Sequence, residues 1–435
     1  MTSSRKLHIG MSLAPTWLSG DAWRRGDSGV EGLFSPHYYV DIAQRSEAAK
    51  LDFVFRPDTL FLDAARLEDS PGFASLDPTI LLAAIAGATS RIGLLSTVST
   101  TFLPPYVIAR QIQSLNALSN GRAGWNIVTA LDGNENFGLS DMPSSDERYA
   151  RAKESVEIVR RLWEGFPGDA LKLDRETGRY ADPAAIRAID FDGRFYKVRG
   201  PLNMPDMAED PIPLIQAGAS PTGRAFAASI ADAVFAASPD RDAAIELRAD
   251  LRNLAEASGR SADKIRVLPG LSLYLAESRG EALELYMETH KRLNRGQKFA
   301  AVKACIGLDL TDWPNDRPVT AEDLPEEPAT VKNRTMAGLL RRLIVRDSPT
   351  PDELLKRPEV IGSAHWQIIG TVEDAIEGIR DWHDAGAIDG FIAVPGGSVS
   401  SMHLTLHELV PRLAEAGLFR SDYSGTSFYS HLTEE

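Results

Sequence analysis

Short apolar runs alternate along the chain with longer stretches in which apolar residues recur every three or four positions. The short runs have the length and composition of buried β-strands, whereas the longer stretches are typical of amphipathic helices. Eight runs predict strands, and these are Leu7–Ala14, Phe53–Asp58, Ile92–Ser99, Arg122–Ala130, Pro213–Ala219, Asp232–Ala237, Lys264–Ala276 and Asp389–Pro395.

The stretches between these runs predict helices, several with recognisable ends. Ser35-Pro36 precedes one helix, Asp77 is a good N-cap for another, and Asn120-Gly121 follows a third. Thr371 and Asp374 have the three-residue spacing of a capping pair. The predicted helices are His37–Leu51, Pro78–Ser90, Tyr106–Leu118, Glu147–Phe166, Thr222–Ile230, Ala243–Ser258, Gly280–Leu293 and Val372–Ala385.

Eight alternating βα units in one chain predict an α/β fold of the (β/α)₈ TIM-barrel type. Several of the strand runs are unbroken apolar segments, as expected for parallel strands that are buried on both faces. The alternative is a doubly wound open sheet, which would need a G-x-G-x-x-G turn after the first strand. That position reads Pro15-Thr16-Trp17-Leu18-Ser19-Gly20 instead, so the barrel is favoured.

Two long segments interrupt the regular spacing, at about 167–212 and 296–368. We therefore expect one barrel domain over residues 1–435, with insertions in the later βα units. Long segments within a compact domain are often functional lids, so we place both insertions over the mouth of the barrel. Peripheral decoration or oligomer contacts remain an alternative for them.

Composition and charge indicate which partners the protein is not expected to bind and in which cellular compartment it is expected. The chain has 435 residues and a net charge of −14, with 61 acidic side chains against 47 Lys and Arg. This balance disfavours nucleic-acid and membrane-surface binding, although it also fits plain solubility. Cys305 is the only cysteine, the first ten residues lack an apolar signal core, and no run is long enough to span a bilayer. We expect a cytoplasmic protein.

Barrel enzymes carry their chemistry at the carboxyl ends of the strands, which identifies candidate positions. The second strand ends in Asp58, the third in Thr97 to Thr101, and the fourth in Trp125-Asn126-Ile127-Val128-Thr129. Residues 218–223 predict an anion site, because a small-residue turn there precedes a helix N-terminus. Ser220 and Arg224 could contribute to it, or Ser220 could simply be an N-cap.

Other patterns are weaker. Gly396-Gly397-Ser398 is a second, less specific phosphate-loop candidate. His403 and His407 are four residues apart, but no H-E-x-x-H motif or third ligand accompanies them, so we expect a solvated helix face and no metal. There is also no G-x-S-x-G or phosphate-loop motif. Aromatic residues after the first three strands could wall an apolar pocket or merely pack, and these are Trp17, Trp23, Phe34, Phe61 and Phe102.

Two segments carry a family resemblance. Residues 119–130 and the stretch Gln216-Ala217-Gly218-Ala219-Ser220-Pro221-Thr222-Gly223-Arg224 resemble the reduced-flavin-dependent monooxygenases of the bacterial luciferase-like superfamily. Within that superfamily the chain is most similar to the nitrilotriacetate, EDTA and dibenzothiophene-sulfone monooxygenase branch. The likeness covers most of Leu7–Ala237, and then Ile369–Pro395.

The resemblance implies residues that bind the cofactor. Ser220 matches a Ser that holds the flavin phosphate, and Asp58 and Tyr149 match flavin contacts. Thr97 matches a strand-end Thr, with Thr100 as the alternative, and the ring is expected near Asn126. Ser145 stands where relatives carry His, and Trp17, Asp21 and Trp23 replace their aromatic-Gly-His-His pattern. These differences put direct His contacts with the cofactor in doubt.

The resemblance also implies an activity. Reduced FMN and O₂ would oxidise or cleave a C–N or C–S bond of a small organic or heterocyclic substrate. A separate NAD(P)H:flavin reductase would supply the reduced flavin, and a homodimer or homotetramer is expected. A polyanionic substrate would need cations, for which Arg24, Arg25 and Arg56 are available.

Three alternatives keep the same fold. The first is a riboflavin-degrading, lyase-type flavin monooxygenase, for which the altered Trp17–Trp23 loop leaves room. The second is a deazaflavin-dependent oxidoreductase, against which residues 125–129 argue. The third is a non-catalytic flavin-binding protein, which Ser145 leaves open.

Overall fold

The computed structural model describes residues 5–14, 20–218, 220–326, 334–361, 364–394 and 396–434. The strands in this part of the chain are β1 His8–Ser12, β2 Phe53–Arg56, β3 Gly93–Ser99, β4 Ala123–Val128, β5 Leu171–Asp174, β6 Arg179–Ala181, β7 Phe191–Asp192, β8 Lys197–Val198, β9 Leu214–Gln216, β10 Ala233–Ala236, β11 Arg266–Leu275, β12 Trp366–Gly370 and β13 Gly390–Val394.

The helices alternate with the strands, and several begin at the side-chain caps expected from the sequence. Asp77 accepts a hydrogen bond from the Ile80 amide at 3.0 Å. The helices are α1 Pro36–Ala48, α2 Pro78–Ala86, α3 Pro105–Leu118, α4 Ser145–Glu164, α5 Pro221–Ile230, α6 Arg241–Ala257, α7 Arg279–Thr289, α8 Arg295–Ile306, α9 Arg334–Asp347, α10 Pro351–Leu354, α11 Pro358–Ile361, α12 Val372–Asp384, α13 Val399–Leu404, α14 Val410–Glu415 and α15 Phe428–Thr433.

Eight parallel strands close into a barrel. Their order is β10-β9-β4-β3-β2-β1-β13-β11, and β10 also pairs with β11, which completes the ring. The predicted (β/α)₈ barrel is confirmed, and the open sheet is excluded. The sequence missed β12, which pairs with the second half of the long strand β11 from Leu271 to Leu275.

The amino-terminal end of the barrel is filled by the last helix. The Phe428 ring is fully buried beside Gly93 and Gly124, where the lack of a side chain leaves space for it. Below it, Asp52 accepts hydrogen bonds from the Ile9 amide at 2.7 Å and from Arg420 at 2.6 Å. These buried contacts stabilise the amino-terminal end of the barrel, whereas barrel enzymes carry their chemistry at the opposite, carboxyl-terminal end.

The two insertions lie in different places. Residues 167–212 connect α4 to β9 and pack on the outer helices, where Glu154 accepts from the Phe195 amide at 2.9 Å and Gln113 donates to Asp206 at 3.0 Å. None of residues 167–212, all of which the structure describes, lines the cavity at the carboxyl ends of the strands, so this insertion does not form the expected cover over the barrel mouth; it reaches that end through Tyr196, whose Oη donates to the Thr100 carbonyl at 3.4 Å. The second insertion follows β11 and reaches the mouth.

The second insertion forms a small helical layer with its own apolar cluster. Helices α8 and α9 contribute Phe299, Val302, Leu340 and Ile344 to this cluster, and all four side chains are buried. In the described part of the chain, no helix combines the length and apolar character needed to cross a membrane.

Candidate active site

A cavity of about 1820 Å³ opens at the carboxyl ends of the barrel strands. Its walls come from the loops after β2, β3, β4 and β9, from β11 and β13, and from the second insertion. No described residue between 167 and 212 lines it. This volume exceeds the range of about 300–1000 Å³ typical of small-molecule pockets, so it can hold a tricyclic cofactor together with a substrate.

Five of the six predicted site residues line this cavity. Asp58, Thr97, Ser145, Tyr149 and Ser220 all face it. The sixth, Asn126, lies behind the wall and contacts it through Thr97.

The amide group of Asn126 is held by its neighbour on the next strand. Asn126 Nδ2 donates to Thr97 Oγ1 at 2.9 Å. Asn126 Oδ1 is buried and has no partner. Thr100, in contrast, donates to the Val128 carbonyl at 3.2 Å and does not line the cavity. Buried polar atoms are normally paired, so this unpaired oxygen, one side chain behind the cavity wall, is unusual.

Asp58 lies two residues after the end of β2 and is the carboxylate that this strand brings to the cavity. Burial raises its pKa to about 6, while the Thr59 amide and the Arg56 guanidinium act in the opposite direction. The carboxylate therefore remains mostly ionised at neutral pH, at a cost in desolvation.

The turn between β9 and α5 forms the opposite wall. Ser220 Oγ accepts a hydrogen bond from the Gly223 amide at 3.1 Å, so it caps the helix while also lining the cavity. A Cβ added to Gly223 would lie 2.6 Å from Tyr149 Oη, and one added to Gly218 would lie 2.8 Å from the same atom. The tyrosine hydroxyl therefore sits directly against this glycine turn, at a helix N-terminus that favours anions.

The cation at this turn differs from the one expected. Arg224 pairs with Asp250 at 3.0 Å and does not line the cavity. Arg148, next to Tyr149 on α4, does line it, and its Nε is buried without a partner while Nη1 donates to the Pro143 carbonyl at 2.6 Å. Sequence reasoning singled out only the tyrosine of this pair.

Two histidines that the sequence did not single out also line the cavity. His290 lies just after α7, and His365 lies just before β12. His290 Nε2 is 3.1 Å from Tyr274 Oη. No local motif marks these residues, because the barrel and its insertion bring them together from distant parts of the chain.

Only one of the aromatic residues predicted to wall a pocket is seen to line the cavity in the described part of the chain. Phe61 lines the cavity, and Phe73, which was not proposed, does too. Phe102 stacks on Phe137 with ring centroids 4.4 Å apart and does not line it. Of the others, Trp23 and Phe34 are also outside the lining, and Trp17 lies outside the described residues.

Of the two remaining candidates, the second glycine turn reaches the cavity and the histidine pair does not. Gly396 lines the cavity and adopts a positive φ of 52°, so the second glycine turn faces the mouth. His403 lies on α13, where its Nε2 is 3.3 Å from Arg45 Nη1, and neither His403 nor His407 lines the cavity. Among the residues that the structure describes, no group of three or more His, Cys, Asp or Glu is placed to hold a metal ion.

Curated relatives match this chain over nearly its whole length. The N-acetyl-S-(2-succino)cysteine monooxygenase of Bacillus subtilis is 34% identical, over 99% of this chain and 98% of the relative. The nitrilotriacetate monooxygenase component A of Aminobacter aminovorans is 32% identical, over 99% and 97%. The dibenzothiophene-sulfone monooxygenase of Rhodococcus erythropolis is 30% identical, over 99% and 97%.

Solved structures of related enzymes also superpose on nearly the whole of this chain. A riboflavin lyase with modified FMN and riboflavin superposes with a TM-score of 0.83 and 28% identity, over 98% of this chain and 95% of the other. The EDTA monooxygenase of Chelativorans sp. BNC1 superposes with a TM-score of 0.82 and 27% identity, over 98% of both chains. The sequence model of the luciferase-like monooxygenase family matches residues 16–388 of this chain. The chain therefore belongs to the luciferase-like monooxygenase family.

Proposed function

We propose that the chain is the oxygenase component of a two-component monooxygenase that uses reduced FMN and O₂ on a small organic or heterocyclic substrate. The observation that carries this proposal is a cavity that has an anion-binding turn in one wall and, directly behind Thr97 in the opposite wall, a buried amide oxygen that has no partner. The cavity also leaves room for a substrate beside the cofactor.

The residues present fit the phosphate of FMN. Ser220 and Tyr149 offer hydroxyl donors, the first turn of α5 offers backbone amides, and Arg148 offers a cation whose Nε has no other partner. Charge-assisted hydrogen bonds of this kind are stronger than neutral ones. Gly218 and Gly223 keep the approach open, because a side chain at either position would crowd Tyr149.

The residues on the opposite wall fit a flavin ring system. Thr97 lines this wall and fixes the orientation of the Asn126 amide behind it, whose Oδ1 is an unpaired acceptor for a ring N–H. Asp58 can accept a second N–H at the edge of the cavity. This donor and acceptor pattern would orient the ring with its phosphate at Ser220.

Reduced FMN supplies the two electrons with which one oxygen atom of O₂ enters the substrate and the other leaves as water. The chain itself has to position the substrate and exclude bulk water from the ring. The second insertion serves this end, because Arg334, Met336 and Ile361 form part of the cavity wall.

A separate NAD(P)H:flavin reductase completes the proposed system, since the chain carries no G-x-G-x-x-G nicotinamide motif. The substrate class that we propose is a compound with a C–N or C–S bond, because the curated relatives are named for such compounds. A homo-oligomer remains part of the proposal.

A second candidate is a riboflavin-cleaving activity. The superposition with riboflavin lyase, at a TM-score of 0.83, favours it. The cavity volume is compatible with two flavin molecules, one bound as cofactor and the other as substrate.

Turnover with different electron carriers tests the proposal. The purified chain is mixed in air with chemically reduced FMN or, in parallel, with a reduced deazaflavin. Each mixture receives dibenzothiophene sulfone, nitrilotriacetate or riboflavin in turn, and products and peroxide are quantified. Oxidised product formed without any reductase or nicotinamide supports the proposal. Product only from riboflavin supports the second candidate. Turnover restricted to a reduced deazaflavin, or tight FMN binding with no product, would contradict both.

A further inference from the structure

The two halves of the cavity differ in charge. The half formed by the loops after β2 and β4 carries every acidic side chain that lines the cavity in the described part of the chain. These side chains are Asp58, Asp63, Asp77, Asp132, Glu135 and Asp141. The opposite half is formed by β11, β12, β13 and the second insertion. Arg334 is the one charged side chain among the described residues that line this second half, and it is exposed.

His365 lies within this second half. Its ring is 5.3 Å from the Phe235 ring, measured between centroids, and it occupies the space that a side chain at Gly270 would fill. Nδ1 of His365 is sealed from solvent and has no hydrogen-bond partner. Because the His365 ring lines the cavity and its Nδ1 is sealed away, Nε2 is the ring nitrogen left to face the cavity.

The protonation state of this ring follows from its surroundings. Burial lowers the pKa of His365 to about 4, so the ring is neutral at pH 7 and carries one hydrogen. A buried N–H without an acceptor is rarer in proteins than an acceptor with an unused lone pair. The hydrogen is accordingly assigned to Nε2, which points an uncharged donor into the cavity.

The neighbouring histidine is neutral as well. Burial, with smaller contributions from Lys298 and Arg25, lowers the pKa of His290 to about 4. Its Nε2 is already in contact with Tyr274 Oη at 3.1 Å. Neither histidine therefore supplies a positive charge to this half at neutral pH.

The arginines considered for a polyanionic substrate are directed elsewhere. Arg25 donates to the Gly397 carbonyl at 2.5 Å and to Thr289 Oγ1 at 2.9 Å, and Arg24 pairs with Asp21 at 3.1 Å. Arg56 is fully buried, and its Nη1 donates to the Leu13 carbonyl at 2.5 Å. None of the three arginines lines the cavity. Carboxylates at the reacting end of a substrate would thus lose their hydration without gaining these partners, which is costly.

We propose that the substrate presents to this half an uncharged group with a hydrogen-bond acceptor, such as a sulfone, a carbonyl or a heteroaromatic nitrogen, and that Nε2–H of His365 binds it. This inference rests on the proposed function. It makes a neutral heterocycle the preferred substrate class and a polycarboxylate the poorer one. His365 is a substrate-binding residue in this account.

Equilibrium binding tests the inference. The full chain is first titrated with oxidised FMN, and the loaded protein is then titrated in a calorimeter with dibenzothiophene sulfone and with nitrilotriacetate. The sulfone should bind at least about tenfold more tightly. His365→Phe keeps a planar ring but removes the donor, so it should weaken sulfone binding by about tenfold and leave FMN binding unchanged. His365→Gln restores a donor near the Nε2 position and should recover most of that loss.

Three results would overturn the inference while leaving the cofactor proposal intact. They are nitrilotriacetate binding as tightly as the sulfone, no sulfone binding by the FMN-loaded protein, and unchanged sulfone binding by His365→Phe. Failure of the wild-type chain to bind FMN at all would remove both proposals. Unchanged FMN binding by His365→Phe shows that the variant is folded, so the comparison of sulfone affinities remains valid.

Discussion

Ser220→Ala separates a phosphate contact from a helix cap. The substitution removes the hydroxyl that accepts from the Gly223 amide, which costs roughly 1 kcal/mol of stability. In our account it also removes a charge-assisted hydrogen bond to the FMN phosphate, worth about 1.5 to 3 kcal/mol. FMN affinity should therefore fall by roughly 10- to 100-fold. Riboflavin lacks the phosphate, so its affinity should change by no more than about threefold.

Fluorescence titrations with FMN and with riboflavin measure both affinities. Ser278→Ala is the matched control, because Ser278 caps α7 through the Glu281 amide and does not line the cavity. The control should lose stability to a similar extent and keep both affinities. Equal weakening of FMN and riboflavin by Ser220→Ala would remove this residue from the phosphate site and refute the orientation of the cofactor.

Three further substitutions test other parts of the account. Burial raises the pKa of Asp58 in the folded protein from its ordinary value of 3.8 to about 6, so the cost of its charge appears as the pH rises from about 4 to about 6. Asp58→Asn should then raise the free energy of unfolding by about 1 to 2 kcal/mol near pH 7.5, after allowance for the partial exposure of the side chain, and by little near pH 4. Urea unfolding at the two pH values measures this, and an equal effect at both would contradict it. Gly223→Ala should weaken FMN binding about tenfold, because the added methyl group would press against Tyr149 Oη. Gly338→Ala is the control: its methyl group would meet no atom within 4 Å, so FMN binding should not change. Unchanged FMN binding by Gly223→Ala would show that the turn has room for a side chain. Phe428→Ala should lower the free energy of unfolding by about 3 to 5 kcal/mol because it empties the amino-terminal end of the barrel, and a loss below about 1 kcal/mol would mean that this end is loosely packed.

The barrel could be predicted from the sequence because its strands are buried on both faces. Each of the eight predicted runs contains one barrel strand, as in Gly93–Ser99, where every residue is buried. Strand β12 was not predicted, because in Trp366–Gly370 the buried residues are separated by one partly exposed and one exposed residue, and the strand pairs only with the second half of β11. Its pairing partner is a tertiary feature that no local pattern reveals.

The cavity walls could be predicted only in part. Residues at strand ends, such as Asp58 and Thr97, were found because the ends of parallel strands converge at one face of the barrel. Arg148 was missed in favour of Arg224, since the direction in which a helix turns its side chains depends on packing. His365 was missed because its position is set by an insertion whose path is not encoded in any local motif.

Oxygen isotope transfer tests the central claim most directly. The chain is supplied with anaerobically reduced FMN, a neutral heterocyclic substrate such as dibenzothiophene sulfone, and ¹⁸O₂ in unlabelled water. The account predicts an oxidised product that carries one oxygen atom from O₂, formed in proportion to the FMN consumed. Product oxygen derived from water, or peroxide as the sole product of O₂ across neutral heterocycles, polycarboxylates and riboflavin, would contradict it.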